Sequence, residues 1–289
     1  MRRDPVIIVV EPYGGSPRRQ LPQMPHIYYD DLGVTRGDGI FETLLVHDGH
    51  TCNQHLHEAR FAQSAAKRDF AHGVGAIITA TDMALESWVE HCHGELVDAK
   101  MVWTLTRGRI STGHPTAWIT ISELDDESKL QTKGAKVMLA EKGFTLHPDR
   151  APWIGEAAKT LGYAATLAAL RQAQAQGLDD VIWVDGDRVL EGSTSSVVTV
   201  KGQKIRTPAH GPDVLPGTTQ QAIFALGEQA GYRCSERELS VDKLYEADSV
   251  WLVSSTRGPV PVRAIGEKKL HPQIDEAVRE LLWEAVYSR

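Results

Sequence analysis

The stretch "TRGDGIFETLLVHDGHTCNQHLHEARFAQSAAKRDF", Thr35 to Phe70, carries two different periodicities in immediate succession. "FETLLV" is rich in strand formers and runs into "HDGH", whose Asp48-Gly49 pair suits a tight hairpin turn before the chain returns through "TCN". From about Gln54 to Phe70 the pattern becomes helical, with Leu56, Arg60 and Ser64 at i, i+4 and i+8 on one face. Strand, hairpin and helix in one short segment point to a mixed α/β (α+β) fold with antiparallel pairing.

The same stretch begins with Arg36-Gly37-Asp38, a tripeptide associated with cell adhesion. Cys52, Cys92 and Cys234 are odd in number and widely spaced, so a disulfide framework is not expected and a reducing compartment fits. An extracellular ligand is therefore not the expected context, and three-residue motifs recur by chance.

With 289 residues, 42% hydrophobic and 24% charged, the chain can bury one large core or two modest ones. Its formal net charge of −7 argues against nucleic acid as the main partner, because phosphate binding needs a basic face. No apolar run reaches the roughly 18 residues of a membrane helix. "MRRDP" is followed by no h-region of adequate length, so no secretory leader and a cytoplasmic location are expected.

Outward from the opening segment, "VIIVV" (Val6–Val10) and "HIYYDD" (His26–Asp31) read as β-rich. A second helix is expected from Asp82 to His93, stopping at Gly94, and "KMVWTLTRG" and "TAWITISEL" read as strands. The polar stretch Asp125–Gly134 reads as a linker, giving a small α/β domain over 1–126, a linker over 127–134 and a second domain over 135–289. That second domain opens with the strand "KVMLAEKGF". An Ala/Leu-rich helix from about Tyr163 to Gln176 follows, closed by Gly177. A β-meander is expected from "DVIWVD" to "KIRTP", then a loop into a helix at "VLPGTTQQAIFALGEQAG", the strand "SVWLVSS", and a last helix from Pro272 to Tyr287.

Four positions stand out chemically. Lys159 follows "WIGEAA" and precedes a helix of small residues, where partial desolvation would favour a free amine. Glu191 ends a strand and is followed by Gly192 and a run of hydroxyl residues suited to an oxygen-rich ligand. "LPGTTQQ" places Thr218 and Thr219 where a loop enters a helix N-terminus, which favours an anion. Arg60 lies on the inner row of its helix, where a guanidinium wants a carboxylate or phosphate. Each also has an ordinary reading: a solvated lysine, turn hydroxyls, a capped helix, a snorkelling arginine. Together they form the set a pyridoxal-phosphate site requires: an amine, a carboxylate for the pyridine nitrogen, and donors for a phosphate.

With these residues in view, the chain resembles the fold-type IV pyridoxal-phosphate enzymes, which include branched-chain aminotransferases, D-amino acid aminotransferases and 4-amino-4-deoxychorismate lyases. The resemblance runs from about His26 to Val262 through "DDLGVTRGDGIFET", "HLHEARFAQSA", "AKTLGYAATLAAL", "DRVLEGSTSSVV", "VLPGTTQQAI" and "WLVSSTRGPVPV". It implies a two-domain fold whose C-terminal domain has a barrel-like antiparallel core, a pyridoxal 5'-phosphate cofactor and a homodimer acting on a small-molecule substrate. It also implies that Lys159 is the Schiff-base lysine and general acid/base, and that Glu191 faces the pyridine nitrogen. Arg60, Thr218, Thr219 and Thr256 are then the phosphate ligands. Tyr163 is a departure, since the cofactor-contacting tyrosine of the aminotransferases falls at Ala164 here. The "GDGIFE" stretch implies a turn and strand at the mouth of the active site, which makes the adhesion motif coincidental.

Within the family, Thr43 falls where the lyases carry threonine, branched-chain enzymes usually glycine and D-amino acid enzymes valine. The resemblance thus favours a lyase giving 4-aminobenzoate and pyruvate, with Thr43 near the lysine and Arg107 on the substrate side. The "RxH" carboxylate clamp of D-amino acid aminotransferases is missing, its place taken by Ser111-Thr112-Gly113-His114. A branched-chain or D-amino acid aminotransferase is the alternative enzyme. From another class, "CNQHLH" (Cys52, His55, His57) and "HCH" (His91–His93) would have to supply a metal site, without any compact four-ligand pattern; no metal is expected.

Overall fold

A computed structural model describes residues 2–143 and 157–289. The end of the expected strand at Phe144 and the "APWIGE" approach to Lys159 lie outside those residues. The chain divides into two compact units: Met1–Asp125 with Ala158–Gly162 and Arg289, and Asp126–Ala157 with Tyr163–Ser288.

The first unit contains β1 (Val6–Val10), β2 (Arg18–Gln20), α1 (Leu32–Arg36), β3 (Gly39–His47), β4 (His50–Thr51), α2 (Gln54–Lys67), α3 (Val74–Thr79), α4 (Thr81–His91), β5 (Ala99–Thr106) and β6 (Thr116–Glu123). Its strands form one antiparallel sheet in the order β2-β1-β6-β5-β3-β4. The β3–β4 turn sits at Asp48-Gly49, where both residues have positive φ, the geometry of a two-residue hairpin. Alternate residues of β3, namely Ile40, Leu44 and Val46, join Phe61 and Ala65 of α2 and Trp88 of α4 in a core with Met101, Trp103 and Ile119. Burying each of the large side chains contributes roughly 1.5–3 kcal/mol.

Expected "HIYYDD" is not a strand. Its two aspartates are spent on loops instead: the fully buried Asp31 caps α1 by accepting from the Gly33 N–H at 2.8 Å and takes the Thr106 and Thr116 hydroxyls at 3.1 and 2.6 Å. Asp30 accepts from Arg109 Nε at 2.9 Å and from the Ser111 hydroxyl at 2.5 Å. Helix α2 starts where expected and ends at Lys67; its buried row is His57, Arg60, Phe61, Ser64 and Ala65, with Leu56 only half-buried. The spacing was helical, but the row begins one residue later than Leu56.

The second unit contains α5 (Ser128–Lys133), β7 (Ala135–Glu141), α6 (Ala164–Ala175), β8 (Asp180–Asp185), β9 (Arg188–Gly192), β10 (Ser196–Lys201), β11 (Lys204–Pro208), α7 (Thr218–Gln229), β12 (Arg233–Arg237), α8 (Val241–Glu246), β13 (Ser249–Ser254), β14 (Gly258–Ile265), β15 (Lys268–Lys269) and α9 (Glu276–Tyr287). Among the described residues its sheet runs β12-β11-β10-β13-β14-β7-β8-β9, with β15 added to β14. The short turn 193–195 carries β9, at one end of this order, directly into β10 near the other, so the sheet curls. Hairpins β8–β9 and β10–β11 form as expected, but β10 pairs with β13 rather than continuing a meander from β9. The stretch read as a linker holds α5, because Leu130, its one apolar residue, packs on the core of this unit.

Candidate active site

The first unit positions Lys159 by backbone pairing. Residues Ala158–Gly162 lie along the start of β3: Phe41 N–H donates to the Lys159 carbonyl at 3.0 Å, Leu161 N–H to the Gly39 carbonyl at 2.9 Å, and Thr160 bridges Ile40. Gly39 is required there, since a Cβ would come within 2.5 Å of Leu161 Cδ1 and 3.0 Å of the Leu105 carbonyl. The Lys159 N–H also donates to Ser64 Oγ of α2 at 3.1 Å. Its side chain is half-buried, with Nζ 4.6 Å from the centroid of the Phe41 ring. Side chains two apart on a strand share a face, so Thr43 emerges beside Phe41, on the face where this amine lies. Glu42 points the other way, toward α2.

On that other face stands a buried ionic cluster. Glu42 and His57 are fully buried and Arg60 is 8% exposed. Arg60 donates side-on, Nε to Oε1 and Nη2 to Oε2 of Glu42, both at 2.7 Å. His57 Nδ1 lies 2.7 Å from Glu42 Oε2. Burial by itself would push the Glu42 carboxyl up; the charge and hydrogen bonds of Arg60, aided by His57, more than reverse this and bring it to about 2. An ionised carboxylate only accepts, so Nδ1 carries the His57 hydrogen. Burial pushes the imidazole below its ordinary value against the pull of Glu42, which keeps it neutral. In the sequence His57 stands out only as a metal-ligand candidate. Its place in the buried row of α2, three residues before Arg60, was the signal for a core role.

In the second unit, Glu191 at the end of β9 is held from two sides. Lys142 Nζ donates to Oε1 at 3.2 Å and to the Asp213 carbonyl at 2.7 Å, while the Leu215 N–H donates to Oε2 at 3.0 Å. Lys142 was not among the sequence candidates; it follows β7 without any motif of its own.

Helix α7 begins at Thr218 after Gly217, which offers no side-chain cap. Its first three residues, Thr218, Thr219 and Gln220, are 2%, 3% and 0% exposed. The first N–H groups of a helix have no partner inside it, so a buried, uncapped start calls for an acceptor from elsewhere. Both polar atoms of the Gln220 amide are likewise buried without a hydrogen-bond partner. The turn between β13 and β14 closes on this end: Ser255 Oγ lies 3.5 and 3.4 Å from the Thr218 and Thr219 hydroxyls. Thr256 follows in the same turn, half-buried. Ser255, its neighbour, was missed because "VSST" offers three adjacent hydroxyls and no rule for choosing among them. Tyr163 stands immediately before α6, also half-buried.

Arg107, expected on the substrate side, is engaged within the protein, as are Arg109 and Arg257. Arg107 donates to Asp38 Oδ2 (3.3 Å) and to the Asp69 and Arg68 carbonyls (2.9 and 2.5 Å), and its guanidinium lies over the Phe70 ring at 4.0 Å. A substrate carboxylate would have to displace these bonds. Arg109 is bound to Asp30 and stacks on Tyr28 at 4.0 Å. Arg257 Nη1 donates to the buried Asp180 at 2.6 Å, leaving Nε and Nη2 buried with no partner. Among the described residues no group of three or more His, Cys, Asp or Glu side chains is arranged to hold a metal, and no helix is long and apolar enough to cross a membrane.

Taken unit by unit, the first offers an amine on a fixed strip, and the second a restrained carboxylate suited to a ring nitrogen and a buried helix start with an unpartnered Gln220 amide suited to an anion. The family profile "Amino-transferase class IV" matches residues 39–265. A Mycobacterium tuberculosis protein named "Bifunctional aminodeoxychorismate lyase / D-amino acid transaminase" is 35% identical over 279 residues, covering 92% of this chain and 96% of its own. The fold IV transaminase CpuTA1 of Curtobacterium pusillum superposes with a TM-score of 0.90 at 31% identity, covering 98% of this chain and 97% of that one. A hypothetical aminotransferase from Mycobacterium tuberculosis, in its PLP-bound form, gives 0.87 at 34% identity over 97% and 98%.

Proposed function

The chain belongs to the amino-transferase class IV family and is a pyridoxal-phosphate-dependent enzyme, and from that premise we propose that it acts as a 4-amino-4-deoxychorismate lyase, releasing 4-aminobenzoate and pyruvate. Bound at the site, the cofactor supplies an electron sink for the charge left when a proton departs from the carbon beside the substrate nitrogen. Lys159 is the covalent anchor for the cofactor and, once its Nζ is released, the base that takes that proton. Glu191, kept in place by Lys142 and the Leu215 N–H, accepts from the ring nitrogen. Arg60, Thr218, Thr219 and Thr256 hold the phosphate, and Ser255 adds a hydroxyl beside the two helix threonines. Tyr163 lies at the cofactor's edge.

The observation that carries the lyase reading is the placement of Thr43 on the same strand face as Phe41, over whose ring the Lys159 amine lies. There its hydroxyl hands a proton to the enolpyruvyl group as the carbon–oxygen bond breaks and the ring becomes aromatic. The name of the mycobacterial relative supports both this activity and a second one, transamination of D-amino acids. The sequence lacks the "RxH" clamp, which favours the lyase over the D-amino acid activity. The working form in this reading is a cytoplasmic homodimer within folate biosynthesis. Release of 4-aminobenzoate, measured beside transamination of branched-chain and D-amino acids, tests the proposal. Transamination without aromatic product would overturn it in favour of the aminotransferase.

A further inference from the structure

We propose that Glu42 is a positioning residue for phosphate recognition: by gripping Arg60 side-on it aims the guanidinium, and thereby makes the protein prefer the phosphorylated cofactor over the free aldehyde. The inference rests on the role given to Arg60 above. An arginine side chain has many rotamers, and one hydrogen bond leaves its plane free to turn. Here two parallel 2.7 Å bonds, from Nε and Nη2, fix that plane. Fixing it also fixes the direction of the end-on edge, the pair of N–H groups that a phosphate takes.

The carboxylate is itself immobilised. It is fully buried on the central part of β3, opposite Trp103 of β5, and a third bond from His57 keeps it from rotating about its own axis. Sequence and fold cooperate in this: Glu42 comes from the strand, His57 and Arg60 from one helical face three residues apart. Glu42 reaches no cofactor atom in this account and acts only through Arg60.

Titration of the apoprotein with pyridoxal 5'-phosphate and, separately, with pyridoxal separates this role from a general structural one, because the two ligands share ring and aldehyde and differ only in the phosphate. Binding is read from the absorbance of the bound chromophore. Wild type is expected to favour the phosphate ester by roughly a hundredfold or more, and Glu42→Gln to cut that ratio by about tenfold or more while pyridoxal affinity stays nearly constant. Glu42→Asp keeps the charge but withdraws the carboxylate by one methylene; it is expected to lower the ratio as well. Equal weakening of both ligands, or an unchanged ratio in Glu42→Asp, would overturn the positioning role while leaving the cofactor assignment intact. A wild type that binds both ligands equally would overturn the phosphate role of Arg60 and this inference together.

Discussion

Acidification provides a quantitative probe of the buried Glu42–His57–Arg60 cluster. Glu42 has a folded-state value of about 2 against an ordinary 4.5. A carboxyl with a depressed value favours the fold above its unfolded value, and this contribution is lost as the pH falls toward the folded one. The difference corresponds to about 3 kcal/mol, of which roughly 2 kcal/mol is gone by about pH 3. His57 acts in the same direction but earlier. Its folded value lies below the ordinary 6.5, so the unfolded chain takes up a proton first and stability begins to fall below that pH. Urea unfolding at about pH 7.5, 5.5 and 3 gives the wild-type profile. Other carboxyls titrate too, so the informative quantity is the gap between wild type and Glu42→Gln, expected to close by about 2 kcal/mol between neutral pH and about pH 3. A gap that stays constant across this range would refute the ionised, doubly bonded state of Glu42.

Three further outcomes are expected. Asp31→Ala removes the α1 cap and strands two threonine hydroxyls, and should destabilise the protein by about 3 kcal/mol in thermal or urea unfolding. Glu191→Gln should lower turnover roughly 10- to 100-fold by weakening a charge-assisted bond, with unfolding unchanged; full activity would remove Glu191 from the site. Thr43→Gly should impair 4-aminobenzoate release more than any transamination, and equal rates in both assays would remove the proton-donor role of its hydroxyl.

Much of the fold was legible because its signals are local. Asp48-Gly49 fixes a hairpin whatever surrounds it, and the spacing in Gln54–Lys67 marks a helix without tertiary help. What failed depended on partners distant in sequence. "HIYYDD" has strand composition, yet Asp31 is drawn into capping α1 and binding Thr106 and Thr116. Leu130 looked like an isolated apolar residue in a linker until the sheet of the second unit gave it a surface. The candidate site divided in the same way. Arg60 was legible as an inner-face guanidinium wanting a carboxylate, but nothing local indicated that Glu42 supplies it. Lys142 and Ser255 were invisible for the same reason, since each matters only through a partner more than thirty residues away in sequence. Arg107 had the right motif, but its donors go to Asp38 and to the carbonyls of Arg68 and Asp69.

In the proposed function the amine of Lys159 carries the cofactor. Borohydride reduction of the protein incubated with pyridoxal 5'-phosphate, followed by proteolysis and mass mapping, tests it most directly. A single stoichiometric pyridoxyl modification is expected on the peptide containing Lys159, absent from Lys159→Ala. A stoichiometric adduct on Lys142 or any other lysine, with Lys159 unmodified, would contradict it.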